Sequence, residues 1–454
     1  MDNFNHSSYD WFSHSQIKIK GGLLNIFLNK KILIYGLGRS GLSTFKFLKD
    51  KNDVFLYDDF KSKVKLPNLK TKVLKYKNVL KLDFDYIIIS PGINISKCKL
   101  ANYLKRNNKK IYSDLDVFFS FFKNDCITIT GTNGKSTTCK LLYEILLNQK
   151  FDVRLVGNIG NPVLSEKKVN KRTIFVIEAS SYQLDYSKIF KSKYAVILNL
   201  SPDHLERHKT LKNYINAKFK LVKNQSKKNF AFLKKEDPLI SKQLIFKNYV
   251  SKITLVNTKK LPKLFDKNID NSFFLSETNR ENLSFVFEIC KKFKIKKKLL
   301  KKTIQKFKGL KYRQQIVFKN KFLTVINDSK STSFSSSIGI LKTDENIYWL
   351  LGGIPKRGDK LNLLKKNYHN IKAFVYGKNK EFFNKKLNNR IKFQNFKNLK
   401  EALKKILISV KKEKFTNKTI LFSPCAASFD SFKNFEERGL YFNKLIKKYM
   451  YAKK

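Results

Sequence analysis

The stretch ITITGTNGKSTT, residues 127–138, decides the fold of this chain. Its first four residues alternate between β-branched types and predict a buried strand, and a helical pattern follows the glycine-rich turn. A strand, a glycine turn and a helix bind polyphosphate, because backbone N–H groups and the helix N-terminus both favour negative charge. Lys135 would reach the β- and γ-phosphates, and the Ser136 hydroxyl would bind Mg²⁺. We therefore expect an ATP site in this loop.

The loop departs from the usual phosphate-loop spacing, which places a glycine where this chain has Ile129. An ordinary strand-to-helix turn is the alternative interpretation. The combination of Gly131, Gly134, Lys135 and Ser136 directly after a strand favours the nucleotide site.

The length and composition of the chain indicate its number of domains and its cellular compartment. A chain of 454 residues with 42% hydrophobic residues predicts two to three globular domains. Without a run of eighteen apolar residues no membrane span is expected, and the start MDNFNH lacks the features of a secretory signal. The five cysteines form no CxxC pair, and their odd number argues against a disulfide framework. These features favour a reducing cytoplasm.

The net charge of +60 admits two explanations. A large excess of Lys and Arg is typical of proteins that bind nucleic acids. The excess here is mostly lysine, spread over the whole length beside many Phe, Ile and Asn residues, as an A/T-rich coding bias would produce. Because no separate basic arm can be isolated, we favour the compositional explanation.

A second glycine turn lies near the start of the chain. A predicted strand, residues 31–35, leads into GLGRSG, residues 36–41, and the next strand ends in Asp58 and Asp59. This spacing matches a dinucleotide-binding fingerprint, although such a turn serves any diphosphate at a helix N-terminus, NAD included. A further strand ends at Ser90, at the same edge of the predicted sheet. Residues 1–30 are expected to be a loosely packed lead-in.

Polar residues follow the strands after the ATP loop. Glu178 ends one buried strand, and His204 follows the next. Because ligands bind at the carboxyl ends of parallel strands, these two side chains predict a second Mg²⁺ site. The chain then turns lysine-rich and is expected to be helical to about Leu310. From Arg313 onwards new apolar runs with polar ends predict another doubly wound α/β domain.

The order of motifs resembles the Mur ligase family over roughly residues 31–445. The motifs are GLGRSG, SPGI, TGTNGKST, GNIG, EASSYQL, SPDHLERH, NDSKST, LLGG and SPCAASFDSFKNFEERG. The resemblance implies an α/β fold of three domains after the lead-in 1–30. They are a Rossmann-like UDP-binding domain (31–113), a central P-loop-type ATPase domain with a mostly parallel sheet (114–310) and a Rossmann-like C-terminal domain that binds an amino acid (311–454).

The same resemblance implies an ATP-dependent amide ligase of peptidoglycan precursor synthesis. The last motif, residues 423–439, is its most specific part and is similar to the members that add D-glutamate to UDP-N-acetylmuramoyl-L-alanine through an acyl phosphate. ATP and two Mg²⁺ ions are the expected cofactors, and a cytoplasmic monomer without a membrane span or a specific nucleic-acid partner is expected. Another Mur ligase, a folylpolyglutamate-type ligase and a basic nucleic-acid-binding P-loop protein remain as alternatives.

Site residues carry over from the motifs, position by position. The residues implied to contact the UDP substrate are Gly36, Gly38, Gly41, Asp58, Asp59, Ser90, Asn158 and Gln183. The residues implied to contact ATP are Gly131, Thr132, Asn133, Gly134, Lys135, Ser136, Thr137, Asn279, Asn282, Arg313 and Asp328. The residues implied to hold D-glutamate are Thr332, Lys356, Ser428 and the backbone near Phe435.

Four residues are implied to be catalytic: Lys135, Glu178, His204 and Lys218. Lys218 matches the lysine that the family carbamylates with CO₂, and as a carbamate it would join Ser136, Glu178 and His204 as a metal ligand. The chain also departs from the family at two positions near the expected adenine site. It has Thr278 and Tyr312 where histidine is usual, so the contacts to the base are expected to differ.

Overall fold

A computed structural model describes residues 25–60, 73–259, 271–342, 346–356, 358–413 and 417–451. Most of the expected lead-in, residues 1–24, therefore lies outside the described part. Its last residues are not loosely packed, contrary to expectation. Phe27 is fully buried, and its ring lies 5.1 Å from the ring of Tyr86 and 5.4 Å from that of Tyr112. The apolar ring is thus part of the core of the first sheet.

The first sheet is parallel throughout. The elements of this region are β1 (Lys31–Tyr35), α1 (Arg39–Leu48), β2 (Asp53–Tyr57), α2 (Tyr76–Lys81), β3 (Tyr86–Ile89), α3 (Ala101–Arg106) and β4 (Ile111–Tyr112). The strand order is β2-β1-β3-β4. The strands are apolar and largely buried, as a parallel sheet covered by helices requires. The expected strand, glycine turn and helix at the start of this region are confirmed.

The central sheet has six parallel strands. The elements are α4 (Asp114–Phe121), β5 (Cys126–Thr130), α5 (Lys135–Asn148), β6 (Val153–Gly157), β7 (Ile174–Glu178), α6 (Ser181–Tyr186), β8 (Tyr194–Ile197), α7 (Leu205–His208), α8 (Leu211–Lys223), β9 (Phe230–Lys234), α9 (Pro238–Phe246), β10 (Lys252–Val256), α10 (Glu277–Cys290) and α11 (Lys297–Lys306). The order β10-β9-β8-β5-β7-β6 places β5 between β7 and β8. The polar ends of these two strands therefore flank the loop that follows β5.

The expectation of purely helical structure between His204 and Leu310 is wrong. Strands β9 and β10 extend the central sheet on the side of β8. Both strands are short and bounded by lysines, and β10 is an edge strand whose side chains are mostly exposed. A five-residue edge strand leaves only a weak alternating pattern, which the surrounding lysine-rich helices obscure.

The third sheet contains one antiparallel edge strand. The elements are β11 (Gln315–Lys319), β12 (Leu323–Asn327), α12 (Phe334–Leu341), β13 (Asn346–Gly352), β14 (Ile371–Tyr376), α13 (Lys380–Leu387), β15 (Lys392–Phe396), α14 (Leu399–Lys412), β16 (Lys418–Phe422) and α15 (Phe435–Ile446). The order is β11-β12-β16-β13-β14-β15, with β11 antiparallel to β12 and the other neighbours parallel. The predicted doubly wound α/β region after Arg313 is confirmed.

A buried carboxylate fastens α4 to the central sheet. Asp116 is fully buried and accepts hydrogen bonds from the N–H groups of Lys188, Ile189 and Phe190 at 2.8 to 3.0 Å. The ring of Phe118 packs edge-on against Phe175 of β7 at 4.8 Å. Helix α4 thereby fixes the first sheet next to the central one. None of the helices in the described part of the chain has the length and apolar character of a membrane span.

Candidate active site

The loop between β5 and α5 has the shape of a phosphate cradle. Gly131 and Gly134 have φ angles of 150° and 84°, which side-chain-bearing residues rarely adopt. The ammonium of Lys135 donates hydrogen bonds to the carbonyls of Gly131 at 2.9 Å and Thr132 at 2.8 Å, so its side chain lies over the loop. Burial lowers the pKa of Lys135, while the charges of Glu178 and Asp203 oppose that shift.

The end of β8 fastens the loop. The N–H of Asn133 donates to Asn199 Oδ1 at 2.9 Å, and the N–H of Thr132 donates to the Asn199 carbonyl at 3.0 Å. The Thr132 hydroxyl accepts from the N–H of Ser201 at 3.0 Å. Thr137 is buried in the first turn of α5. The loop is therefore held in place by residues that follow β8.

Glu178, at the end of β7, is the centre of a buried polar group. The Ser136 hydroxyl donates to Glu178 Oε2 at 2.5 Å, and Asn158 Nδ2 donates to Glu178 Oε1 at 2.6 Å. Glu178 is 1% exposed. A carboxylate and a hydroxyl are oxygen donors of the kind that Mg²⁺ prefers, with phosphate oxygens and water completing its shell. The residues at this position therefore fit a nucleotide-bound Mg²⁺.

Lys218, on α8, lies under the phosphate loop. Its side chain is buried, and its ammonium donates to the Gly131 carbonyl at 2.7 Å and to Thr130 Oγ1 at 3.3 Å. The ammonium also lies 4.7 Å from the centre of the Tyr214 ring. Burial lowers the pKa of Lys218 well below its ordinary value, and the nearby charge of Lys135 adds to that shift. Burial thus makes the uncharged form of Lys218 more accessible than that of an ordinary lysine.

His204 begins α7 with a left-handed φ of 56°. Its Nε2 faces Asp203 at 3.4 Å and its Nδ1 faces Glu206 at 3.5 Å, so its ion pairs are with neighbours in sequence rather than with Glu178. Burial lowers the pKa of His204. The described residues contain no cluster of three or more His, Cys, Asp or Glu side chains placed to hold a metal ion.

Asp203 joins the central and third sheets. Its Oδ1 accepts from Lys356 Nζ at 2.6 Å, across 153 positions of sequence. Burial would raise the pKa of Asp203, but the charges of His204 and Lys356 lower it below its ordinary value. The expected amino-acid-binding lysine is thereby placed beside the expected metal-binding histidine.

Helix α10 closes the other side of the loop. A Cβ on Gly134 would lie 2.1 Å from Asn282 Oδ1, so only glycine allows this close approach. Asn282 is buried, and its Nδ2 has no hydrogen-bond partner among the described residues. An unpartnered buried donor is costly unless a ligand supplies an acceptor. Its position against the phosphate loop fits an ATP phosphate or ribose oxygen.

Thr278 and Tyr312, which stand where the family usually has histidine, both pack against helices of the third region. The Thr278 hydroxyl packs against Gly339 of α12, and the Tyr312 ring packs against Gly439 of α15, at positions where a Cβ would lie 2.4 Å away. Both side chains therefore serve the packing between α10, the Tyr312 turn and the third sheet.

Three charged residues at the start of the third region face the phosphate loop. Burial lowers the pKa of Arg313, and the carboxylates of Glu178 and Asp328 oppose that shift. Asp328 accepts from the Ser423 hydroxyl at 2.8 Å and from the N–H of Gln314 at 3.1 Å, and burial raises its pKa to about 7. Lys330 lies 4.0 Å from the centre of the Phe435 ring, and burial lowers its pKa to about 8.

The first glycine turn is shaped by the residues that sequence analysis singled out. Asp58 accepts the N–H of Leu37 at 2.7 Å, and Ser90 donates its hydroxyl to the Gly36 carbonyl at 2.7 Å. A Cβ on Gly41 would lie 1.8 Å from the Gly36 carbonyl oxygen, which requires glycine where α1 crosses the turn. Asp59 instead accepts the hydroxyl of Tyr35 at 2.8 Å. Gly38 caps α1 and leaves open space around its Cα.

The two residues expected to contact the muramoyl part already have protein partners. Asn158 donates to Glu178, as described above, and Gln183 Nε2 donates to Asp114 at 3.3 Å. Gln183 also caps α6 through the N–H of Ser180. Burial raises the pKa of Asp114 to about 6. Asn158 is exposed and Gln183 is buried.

Two of the expected D-glutamate residues, Lys356 and Ser428, lie on the loops that follow β13 and β16. Ile354 and Ala427 form a two-residue antiparallel bridge with both N–H···O distances at 2.9 Å. This bridge brings Lys356 and Ser428 onto neighbouring loops, and Ser428 is buried. The Phe435 carbonyl accepts from the Ser329 hydroxyl at 2.9 Å. Thr332 lies half-buried on the loop before α12.

Sequence analysis gave no role to Asp203, Lys330 or Gln314. Asp203 and Lys330 lie inside the quoted motifs SPDHLERH and NDSKST, so the motifs contain them but composition and spacing do not distinguish them. Gln314 has no signal in the sequence apart from its position after Arg313, and only the fold shows its contact with α10.

Comparisons of the sequence with family models and with curated proteins both identify Mur ligases. Residues 30–111 match the family model "Mur ligase MurD-like, N-terminal domain", and residues 129–301 match "Mur ligase middle domain". The UDP-N-acetylmuramoylalanine–D-glutamate ligase of Rickettsia felis is 35% identical, covering 94% of this chain and 99% of its own length. The ligase of the same name from Buchnera aphidicola subsp. Schizaphis graminum is 36% identical over 93% of this chain and 98% of its own.

Solved structures agree on the fold. MurF ligase from Thermotoga maritima in complex with ADP superposes with a TM-score of 0.55 at 13% identity, covering 94% of this chain and 97% of that one. UDP-N-acetylmuramate–alanine ligase MurC from the same organism superposes with a TM-score of 0.51 at 17% identity, covering 94% and 100%. At these identities the likeness shows the three-sheet architecture alone.

Proposed function

Because the chain belongs to the UDP-N-acetylmuramoylalanine–D-glutamate ligases of the Mur ligase family, we propose a role in the ligation reaction for each of its site residues. The protein is an ATP-dependent ligase that adds D-glutamate to UDP-N-acetylmuramoyl-L-alanine in peptidoglycan precursor synthesis. One observation carries the proposal. A single buried group around the phosphate loop contains Lys135, Ser136, Glu178 and Lys218.

Three parts of the chain take the three substrates. Residues 31–113 hold the UDP part with the glycine turn of Gly36, Gly38 and Gly41 and with Asp58, Asp59 and Ser90. Residues 114–310 bind ATP, and Asn158 and Gln183 receive the muramoyl part at the opening between the first two sheets. Residues 311–454 bind D-glutamate. Substrates held by different domains meet only when those domains close, which is typical of enzymes that exclude water from a reactive intermediate.

The phosphate loop and α10 bind ATP. The N–H groups at the start of α5 would face the phosphates, since those of Thr132 and Asn133 already donate to Asn199. Lys135 would move from the loop carbonyls to the β- and γ-phosphates. The unpartnered Nδ2 of Asn282 supports this placement, because a bound nucleotide supplies the acceptor that the described residues do not. Arg313 and Asp328 complete the site from the third region.

We assign the two expected Mg²⁺ ions to side chains beside the phosphate loop. Ser136 and Glu178 would hold one ion, and Glu178, His204 and a carbamate on Lys218 would hold the other. When bound, the ions neutralise phosphate charge and polarise the transferred group. The lowered pKa of Lys218 supports the carbamate, because a neutral amine attacks CO₂ and then releases one proton.

The reaction needs mainly positioning and charge neutralisation. The carboxylate of UDP-N-acetylmuramoyl-L-alanine attacks the γ-phosphoryl group of ATP, giving an acyl phosphate and ADP. The amine of D-glutamate then attacks the acyl carbon, and phosphate leaves the tetrahedral intermediate. Lys135 neutralises the charge that develops on the phosphoryl oxygens. Lys356 and Thr332 hold the α-carboxylate of D-glutamate, while Ser428 and N–H groups near Phe435 hold its side-chain carboxylate.

The expected substrates bear on the cellular location and the oligomeric state of the enzyme. ATP and a UDP-linked sugar support a cytoplasmic enzyme, and we propose that it acts as a monomer, because each of the three expected substrate sites lies on this one chain. The +60 charge is compositional and serves no specific nucleic-acid partner.

The test is a coupled assay of ADP release with UDP-N-acetylmuramoyl-L-alanine and a panel of amino acids. We expect rapid ADP release with D-glutamate and slow release with L-glutamate, L-lysine and diaminopimelate. A better rate with diaminopimelate or L-alanine would assign the chain to another Mur ligase activity. ADP release only with a folate substrate would assign it to the folylpolyglutamate-type ligases.

A further inference from the structure

The guanidinium of Arg207 lies against two tyrosine rings. Its Cζ is 4.6 Å from the centre of the Tyr182 ring and 5.4 Å from that of the Tyr186 ring. Both tyrosines belong to α6, the helix that follows β7, whereas Arg207 belongs to α7. Because an arginine head is planar, carries a delocalised charge and stacks on aromatic faces, the two rings hold it in a defined place.

Arg207 reaches from the central region to the part of the chain that is expected to bind UDP. Its Nη2 donates to the carbonyl of Pro91 at 3.4 Å and to that of Ile93, which lie 116 and 114 positions away in sequence. The Tyr186 hydroxyl accepts from the same Nη2 and donates to the Ile93 carbonyl at 3.0 Å. Two side chains of the central region therefore hold one backbone carbonyl within residues 31–113.

The segment that Arg207 holds, residues 90–93, forms one wall of the first glycine turn. Ser90 donates its hydroxyl to the Gly36 carbonyl at 2.7 Å, and the N–H of Ile93 donates to the Ser90 carbonyl at 3.0 Å. A Cβ on Gly36 would lie 2.9 Å from Ile93 Cγ1, so the Ile93 side chain packs directly against the turn. A shift of the Ile93 carbonyl therefore moves residues that are expected to bind the UDP part.

Arg207 is also linked to the expected metal-binding histidine. The N–H of Arg207 donates to the His204 carbonyl at 3.0 Å, so both residues belong to one helical turn. The centre of the Tyr182 ring lies 5.0 Å from that of the His204 ring, so the same tyrosine contacts both side chains. The contacts of Arg207 thus connect the first glycine turn with the segment that carries His204.

We propose that Arg207 is a positioning residue, which sets the first glycine turn at the distance from the central region that lets UDP-N-acetylmuramoyl-L-alanine bind at both ends. The inference rests on the proposed function, in which the UDP end binds residues 31–113 and the muramoyl-alanine end binds the central region. The second contact of such a linked ligand depends on the geometry between its two sites. Misplacement of the sites therefore weakens binding of the whole molecule but not binding of UDP alone.

The experiment compares the dissociation constants of UDP and of UDP-N-acetylmuramoyl-L-alanine, measured by titration calorimetry. In Arg207→Ala we expect the complete substrate to bind about tenfold more weakly, while UDP binds as it does to the unaltered protein. Tyr186→Phe keeps the ring and removes the hydroxyl, so the same pattern is expected with a smaller loss. The KM for ATP should change little in both variants. Arg172→Ala, at an exposed position, is the control and should alter none of these values.

Two outcomes would overturn the inference. Equal weakening of UDP and of the complete substrate would show that Arg207 supports the glycine turn alone. Unchanged binding of both ligands would show that its contacts are packing without consequence for the substrate. Thermal midpoints establish that the variants are folded, and if Arg207→Ala is not, the result for Tyr186→Phe decides.

Failure of the proposed function looks different from failure of this inference. The unaltered protein would then bind the complete substrate no more tightly than UDP, and it would release no ADP when D-glutamate and ATP are added.

Discussion

The phosphate-loop region and the amino-acid region of the third sheet are built differently. Around the loop, Ser136, Asn158 and Glu178 are joined by hydrogen bonds of 2.5 and 2.6 Å, and Lys218 is 2% exposed. In the other region Lys356 reaches the centre through an ion pair with Asp203, and Phe429, next to Ser428, is 71% exposed. The phosphate side is thus closely packed, whereas the expected amino-acid side combines the buried Ser428 with the exposed Phe429.

The two regions are proposed to perform two different tasks, phosphoryl transfer and selection of the amino acid. Phosphoryl transfer depends on fixed charges placed in advance, which a buried cluster on one rigid sheet provides. In the proposed mechanism, selection of the amino acid depends on residues of the third region, whose contacts with the substrate would form as the domains close. Substitutions around the loop should therefore abolish turnover, and substitutions in the amino-acid region should change substrate affinity.

The largest effect is expected for Lys135→Ala. Loss of a charge-assisted contact to the transferred phosphate should lower kcat by more than about 100-fold, on the order of 3 kcal/mol of transition-state stabilisation. ADP release measures the effect, and an unchanged thermal midpoint shows that the fold survives. Lys140→Ala, on the same helix but paired with Glu144, is the matched control and should keep its rate. Near-normal turnover of Lys135→Ala would remove the loop from the mechanism.

Lys218→Ala should be nearly as severe. A buried lysine that serves as a carbamate cannot be replaced by alanine or by arginine, because neither forms that anion. We expect both variants to be inactive and Lys218→Ala to recover part of its rate with added acetate, which supplies the missing carboxylate. Lys223→Ala, at the exposed end of the same helix, is the control. Full activity of Lys218→Ala without acetate would show that the lysine is only structural.

A smaller and more selective effect is expected for Ser428→Ala. Its hydroxyl is proposed to contact the side-chain carboxylate of D-glutamate, and hydrogen bonds to charged groups contribute about 1.5–3 kcal/mol. The KM for D-glutamate should therefore rise about tenfold or more, while the KM for ATP changes little. Ser431→Ala, on the exposed side of the same loop, should leave both values unchanged. An equal rise in both KM values would contradict the separation of the two regions.

The sequence predicted the strands and turns that hold the site but not the contacts between regions. Residues 127–138 predicted the phosphate cradle, because strand pattern, glycines and lysine are all local signals. Contacts such as that between Asp203 and Lys356, 153 positions apart, depend on how two sheets dock. Nothing in local spacing encodes that docking.

The hydrogen-bond partners of polar side chains could not be predicted from the sequence either. Asn158 and Gln183, which the resemblance places at the muramoyl part of the substrate, each also donate to a buried carboxylate, Glu178 and Asp114 respectively. The sequence did not reveal β9 and β10, because both are five-residue strands in a lysine-rich stretch and β10 is also an exposed edge strand. Both cases show that a side chain's neighbours depend on tertiary packing, which composition and motif order describe only indirectly.

The smallest effect expected is a pH dependence at the boundary between the two regions, where Asp328 lies. Burial raises the pKa of Asp328 to about 7 from its ordinary value of 3.8, while the Ser423 hydroxyl and the Gln314 N–H offset part of the penalty. A carboxyl whose pKa is raised on folding stabilises the native state fully below pH 3.8, and that contribution is lost as the pH rises through about 7. In the variant Asp328→Asn the amide stays neutral, its oxygen can accept from the Gln314 N–H, and its Nδ2 can donate to the Ser423 hydroxyl oxygen. The thermal midpoint of the variant relative to the unaltered protein should therefore increase between about pH 4 and pH 7 and then level off, by about 2–4 °C in total.

Melting curves without nucleotide measure this difference, with Asp50→Asn at an exposed position as control. A difference that stays flat across this range would show that Asp328 is already ionised in the folded protein and that Arg313 holds it so.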